Sequence, residues 1–290
     1  MQRTTGATAC VAILALGAAA ASPAMGQAQP KTIYDIQYTT NANGDSPEMN
    51  NVIAACAGGI VTHKILLGQP KITLYAPAFP DGWGGIQIKD WTTSRALYDH
   101  VSIGDRISLT NVAVEEYRGN TLLRFEDASG FVIEDTGRAM PAPLVVAPSA
   151  IAAPIEGPPG QWYVASRDAE KYEAMWLKVE DVTVGAMGLG KAPDNYVLSD
   201  AAGSCWAADY MNDSVDTDDY HPLVDTGQHF DSVTGILEQY TKTSSGWDYY
   251  QLVTTETGSF VVPEPTCLAL LACGALAVAR RRRKSPRRGA

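Results

Sequence analysis

Cysteine is scarce: five in 290 residues, and three of them, Cys10, Cys267 and Cys273, sit in the apolar runs at the two ends. Only Cys56 and Cys205 remain for the body of the chain, which excludes a disulfide-dense scaffold. They fall at different places in the repeat described below, so two buried free thiols are expected rather than a bridge. Histidine is as rare. His63, His100, His221 and His229 show no His-x-x-x-His or Glu-x-x-His spacing, so no zinc site is suggested. A Gly-x-Ser-x-Gly elbow, a P-loop and a dinucleotide fingerprint are all missing. Gly82-Trp83-Gly84-Gly85 is glycine-rich, but it follows Pro80-Asp81 and precedes a strand pattern, so it reads as a hairpin turn. No catalytic residue is assigned, and the chain reads as non-enzymatic. Long amphipathic helical patterns are also absent. The exception is Ser166–Met175, where Asp168-Ala169-Glu170-Lys171-Tyr172-Glu173 reads as a short helix.

A comfortable membrane span needs roughly 20 apolar residues, and the chain has none of that length. What it has are two shorter runs at its ends. Arg3 precedes the apolar run 10–21, Ser22-Pro23 breaks it, and Gly26-Gln27-Ala28 offers small residues at cleavage spacing. This is the pattern of a secretory signal peptide over 1–28, handled by the Sec translocon. At the other end, Val261-Val262-Pro263-Glu264-Pro265 must be extended, because both prolines fix φ and lack a backbone donor. An uncharged run of thirteen residues, Cys267–Ala279, follows, and then Arg280-Arg281-Arg282-Arg283-Lys284. By the positive-inside rule that basic cluster stays cytoplasmic.

Val262, Pro263, Glu264 and Pro265, the short apolar helix and the basic end at Arg280, Arg281, Arg282 and Arg283 resemble the PEP-CTERM sorting signal of bacteria. The resemblance implies an exosortase-type processing enzyme as partner and removal of the tail near the motif. It also implies passage through the inner membrane to the cell surface or medium. The tail is assigned to 261–290.

Basic charge is scarce once the ends are set aside. Of 22 Lys and Arg, Arg3 and seven tail residues (Arg280–Arg283, Lys284, Arg287, Arg288) go, leaving 14. Of 32 Asp and Glu, only Glu264 goes, leaving 31, so residues 29–263 carry about −17. Such a balance opposes binding along a phosphate backbone.

The body of the chain is rich in short β patterns. After a lead-in at 31–37, strands are predicted over 53–64, 71–75, 85–89, 106–116 and 121–126, with a short one at 131–134 and a tight turn at Gly119-Asn120. Six prolines in 139–160 read as an extended connector whose apolar residues could pack on a neighbouring unit. The pattern then repeats in outline, with strands predicted over 176–184, 195–199, 204–208, 230–239 and 247–253. Leu109-Thr110-Asn111-Val112 aligns with Val233-Thr234-Gly235-Ile236, and Tyr117 with Tyr240. These features resemble the OB-fold-like modules of secreted bacterial proteins. The fold class expected is all-β, with two tandem five-stranded OB-like barrels at 29–138 and 161–260, an N-terminal signal helix and a short C-terminal transmembrane helix. A β-sandwich would give much of the same pattern.

Two stretches carry the candidate sites. Asp209, Asp213, Asp216, Asp218 and Asp219 crowd one loop. Hard oxygen ligands suit Ca²⁺, but the EF-hand order is missing, and a solvated acidic loop is the favoured reading. No other cofactor is implied. Trp83, Trp91, Trp247, Tyr249 and Tyr250 could stack sugars or bases on a barrel surface. The alternative is that such rings fill two small cores. Because few cations accompany them, a glycan or protein ligand is favoured over nucleic acid. The reading is an exported surface or matrix protein. The alternative is a secreted nucleic-acid-binding module beside an extracellular nuclease.

Overall fold

The structure, a computed structural model, describes residues 30–66, 68–189, 195–209, 224–255 and 259–263. The expected signal peptide, the expected tail from Glu264 onward, and Asp213, Asp216, Asp218, Asp219 and His221 lie outside them. Among the described residues no helix is long and apolar enough to cross a membrane. The chain is all-β with an OB-type barrel.

Alternation builds the first wall. In β2 (Lys71–Tyr75) and β3 (Gly85–Asp90), Ile72, Leu74, Ile86 and Ile88 point inward and are fully buried. Lys71, Thr73, Gln87 and Lys89 take the other face, as a period of two requires. These strands join β1 (Val52–Ile65), β4 (Arg106–Tyr117) and β5 (Asn120–Phe125) in the order β1-β2-β3-β5-β4, and β1 pairs with β4 to close the ring. The β3–β5 pair is parallel. A further strand, β6 (Phe131–Asp135), extends β4 beyond the ring. The strands predicted for this half of the chain match within two residues, whereas those predicted at 176–184 and 230–239 run on to Leu189 and Lys242. The turn shifts by one, because Tyr117 pairs with Asn120 and the two-residue loop is Arg118-Gly119. Both loop residues have positive φ, 60° and 85°, as a type I′ hairpin needs.

Two short helices plug this barrel. The lead-in contains α1 (Ile33–Gln37), started by a capping box in which the Asp35 amide donates to Thr32 Oγ1 and the Thr32 amide to the Asp35 carboxylate. It drives Ile33 and Ile36 into the core. Between β3 and β4 lies α2 (Ala96–His100), whose Leu97 and Tyr98 amides donate to the buried Asp90 carboxylate.

The same cyclic order recurs further along the chain. β10 (Trp176–Leu189), β11 (Asn195–Ser199), β12 (Ser204–Ala208), β14 (Trp247–Val253) and β13 (His229–Lys242) pair in that order, and β13 closes on β10. Again the pair between the third and fifth strands, β12–β14, is parallel. The aligned segments at 109–112 and 233–236 both fall on the fourth strand of their ring. The proline-rich 139–160 stretch is no free linker. It supplies β7 (Leu144–Val145), α3 (Pro148–Ile151) and β8 (Ile155–Glu156), and with β9 (Trp162–Tyr163) it lies against the second sheet. Val146 and Ile151 enter the second core. The helix expected at 166–175 is a 3-10 helix, Arg167–Tyr172, started by Ser166 Oγ accepting from the Asp168 amide and ended before Ala174 at φ 55°. β15 (Phe260–Val261) adds to β13, and Val262 after it is exposed. Cys56 and Cys205 are free and buried, as expected.

Candidate binding cleft

The outer face of β2 and β3 is polar by alternation, yet much of it is not in water. Thr73, Gln87 and Lys89 are buried because the second barrel lies over them. Several contacts hold the two together. The Thr241 amide donates to the Arg118 carbonyl at 2.7 Å. Asn120 mimics a strand partner: its side-chain oxygen accepts from the Gln239 amide at 2.8 Å and its nitrogen donates to the Gln239 carbonyl at 2.5 Å. Gly85 lies so close to Ala174 that a Cβ would sit 2.4 Å from that residue's backbone. Ile65, Ile236 and Val253 form a small apolar cluster across the seam.

Along one side the seam opens into a cleft of about 360 Å³, at the small end of ligand pockets. The β1–β2 loop (Gly68, Gln69), β2, β3 and the β4–β5 turn form one wall. β11, β13 and β14 of the second ring form the other. In OB folds the second and third strands with these two loops form the ligand face. The lining is rich in amides: Gln69, Gln87, Asn120, Asn195, Gln239 and Gln251. Asn195 donates to Gln251 at 2.6 Å and Gln87 to Glu238 at 2.7 Å, so several are fixed in orientation. Lys71 approaches Glu238 at 3.4 Å. The Lys89 ammonium sits 3.1 Å from the centre of the Tyr117 ring, and Arg118 donates to the Tyr240 hydroxyl at 3.1 Å. Burial, then the neighbouring Lys71, brings Lys89 down to about 8.

Elsewhere the seam is sealed over acids. Glu116 accepts from the Ser46 amide and the Thr121 hydroxyl, Glu173 from the Thr121 amide, and Glu170 from the Tyr250 hydroxyl. Burial raises all three, with Glu170 at about 7 and Glu173 well above the usual carboxylate range. Glu116 pushes Glu170 further in the same direction, and both push Glu173. Glu173 Oε2 has no hydrogen-bond partner among the described residues. A neutral acid is the form this site accommodates.

The expected ring residues fall elsewhere. Trp91 is exposed, with the Arg124 guanidinium 5.0 Å from its ring centre. Trp83 is half-buried, edge-on to Tyr38, and lines a separate recess beside Arg167 and Glu170. Trp247 anchors β9 by donating to the Gly160 carbonyl at 2.8 Å. Tyr249 is fully buried beside Trp206 and Tyr240 and has no face to offer a ligand. Tyr250 is buried as well. Adjacent on β14, the two take opposite faces: Tyr250 enters the second core, and Tyr249 is covered on the other face by Trp206 and Tyr240. Asp209, one of the calcium candidates, is buried at the end of β12. No group of three metal-ligating side chains occurs among the described residues.

Sequence reasoning missed Lys71, Gln87, Lys89, Arg118 and Asn120 as site residues. Their signal was the alternation of 71–75 and 85–89, which marks the outward positions. Tyr117 and Tyr240 had been noted only as landmarks of the repeat, and they flank Arg118.

No protein-family model and no characterised protein matches the chain in sequence. Among solved structures it is similar to a murine DNA-binding protein bound to double-stranded DNA, at 12% identity and TM-score 0.32, over 70% of this chain and 90% of that one. It is also similar to fission yeast Pot1 with single-stranded DNA, at 11% identity and TM-score 0.26, over 73% of this chain and 81% of that one. Likenesses this faint carry no inference about what the chain binds.

Proposed function

We propose that this chain is an exported, non-enzymatic surface or matrix protein. Two OB modules in tandem hold a glycan, and a PEP-CTERM-like tail delivers them. The observation that carries the binding reading is the cleft lining: oriented amides, two tyrosines, the buried Lys89 and the more exposed Lys71 and Arg118, at the ligand face of the first ring. Sugar hydroxyls pair well with planar amides, which donate and accept side by side. Delivery rests on Val262–Pro265 and the basic end, with an exosortase-type enzyme and the Sec translocon as partners.

The runner-up, a single-stranded nucleic-acid module, would use the same cations. It is disfavoured because Tyr117 and Tyr240 each already hold a cation against the ring, and because the exported part is strongly acidic.

Two experiments test the proposal. A glycan array probed with the exported chain should return a restricted set of ligands, whereas an empty array together with micromolar, steeply salt-dependent binding of single-stranded DNA would reverse the ranking. Replacing Pro263-Glu264-Pro265 by alanines should leave the tail attached and the protein in the inner membrane; normal release of that variant would refute the sorting assignment.

A further inference from the structure

Antiparallel strands β2 and β3 place Lys71 directly opposite Lys89. Like charges at opposed positions destabilise a sheet, and here they do so on a face from which the second barrel excludes water. Lys71 is answered by Glu238. Lys89 is 6% exposed and makes no ion pair among the described residues; it rests on the Tyr117 ring. Arg118, the third cation, is held by uncharged groups. It donates to the Tyr240 hydroxyl and lies 5.2 Å from the Tyr240 ring centre and 5.8 Å from that of Tyr117. Lys89 and Arg118 thus share one ring and are close enough to repel each other. In a chain whose exported part carries about −17, this concentration of positive charge runs against the composition. Local rules are broken in this way at functional sites.

Resting on the glycan reading above, we propose that the cleft selects an acidic sugar: a uronate residue whose carboxylate answers Lys89 and Arg118 and whose hydroxyls meet the surrounding amides. A bidentate or paired charge-assisted contact is the strongest polar contact available to such a ligand. The cleft volume limits the contact to a short stretch of chain. That argues against a phosphodiester backbone, whose affinity grows with the number of charges neutralised.

The test is calorimetry on the full chain in mild detergent. The probes are uronate trisaccharides (galacturonate, mannuronate and glucuronate), their methyl esters, and an oligothymidylate. The esters keep every hydroxyl and lose the charge. At least one free uronate should bind about tenfold or more tighter than its ester at pH 6.5, and Arg118→Gln should remove about that factor. Arg118 lies on the exposed rim, so the variant should fold, which its melting curve checks. Wild-type affinity for the uronate should also fall as pH rises through about 8, where Lys89 loses its proton, although the ligand itself does not titrate there. Equal binding of acid and ester would overturn the inference and leave the glycan reading standing. Binding of neither sugar would remove both, and tighter binding of the oligothymidylate would replace them with the nucleic-acid reading.

Discussion

The seam between the two rings balances charge in two ways. In the open half, around Lys71, Lys89 and Glu238, opposite charges meet beside amides at the edge of a cleft. In the sealed half, around Glu116, Glu170 and Glu173, three acids meet with backbone amides and hydroxyls but with few cations; Arg167 beside Glu170 is bonded to Asp248 at 2.7 Å. Coulomb attraction can offset desolvation only where a partner of opposite sign is present. Where it is not, the acid takes up a proton instead. The open half is therefore suited to exchange a ligand for an internal partner, and the sealed half to hold the rings together in a way that depends on pH.

The comparison can be broken most severely at the contact both halves share. Gly85→Val would drive a side chain into the Ala174 backbone, where even a Cβ sits 2.4 Å away. A loss of about 2–4 kcal/mol is expected, read as a lower urea midpoint. An unchanged midpoint would mean the rings do not dock through this contact.

Next in size is pH. The folded-state values of Glu116, Glu170 and Glu173 are raised, so their contribution is fully present below the unfolded value near 4.5 and is lost as pH rises through the folded values, about 7 for Glu170. Stability should therefore increase on acidification from about pH 8 to about pH 5, by an amount on the order of 2–3 kcal/mol. Glu173→Gln should flatten that slope and make the chain more stable than wild type at pH 8. A profile that falls on acidification over this window would show that the cluster is ionised.

A smaller effect is expected at Asn120, whose two bonds to the Gln239 backbone bridge the two rings. Asn120→Ala should cost about 1–2 kcal/mol, and because its side chain also lines the cleft, it should weaken ligand binding at the same time. A variant that loses stability but keeps full affinity would separate the seam from the site. The smallest effect belongs to a pair outside the seam: Arg106→Gln removes an exposed contact with Glu134 and should move the midpoint by no more than about 0.5 kcal/mol.

How much of this was legible in the sequence differs by element. Strands 71–75, 195–199, 204–208 and 247–253 were readable to the residue, because each is a short run of β-forming residues with polar or turn residues close by. The helix α1 was read only as a lead-in: Thr32 and Asp35 have capping-box spacing, but five residues are too few to register as periodic. The helix α2 gave no periodic signal, because its start depends on Asp90, seven residues before Leu97. Tyr249 and Trp247 looked alike as candidate rings and, two residues apart, share one face of β14; Tyr249 is buried there against Trp206 and Tyr240, whereas Trp247 at the start of the strand pins β9. The acidic loop cannot be compared in the same way, since Asp213, Asp216 and Asp218 lie outside the described residues.

The sequence by itself determined the rings. A period of two sorts each strand into an inner and an outer face, the turn residues set where strands end, and the repeat shows that the order occurs twice. The contrast between apolar ends and an acidic middle is also a property of the sequence alone. Only the tertiary structure decided which outer faces stay wet. Lys71, Gln87 and Lys89 read as solvated positions until the second ring covers them, and Glu116, Glu170 and Glu173 are separated in sequence by up to 57 positions before docking crowds them together. The physical reason is range: inward and outward are fixed by the next residue along the strand, whereas desolvation of an outer face is fixed by a surface more than a hundred residues away, which leaves no trace in local pattern.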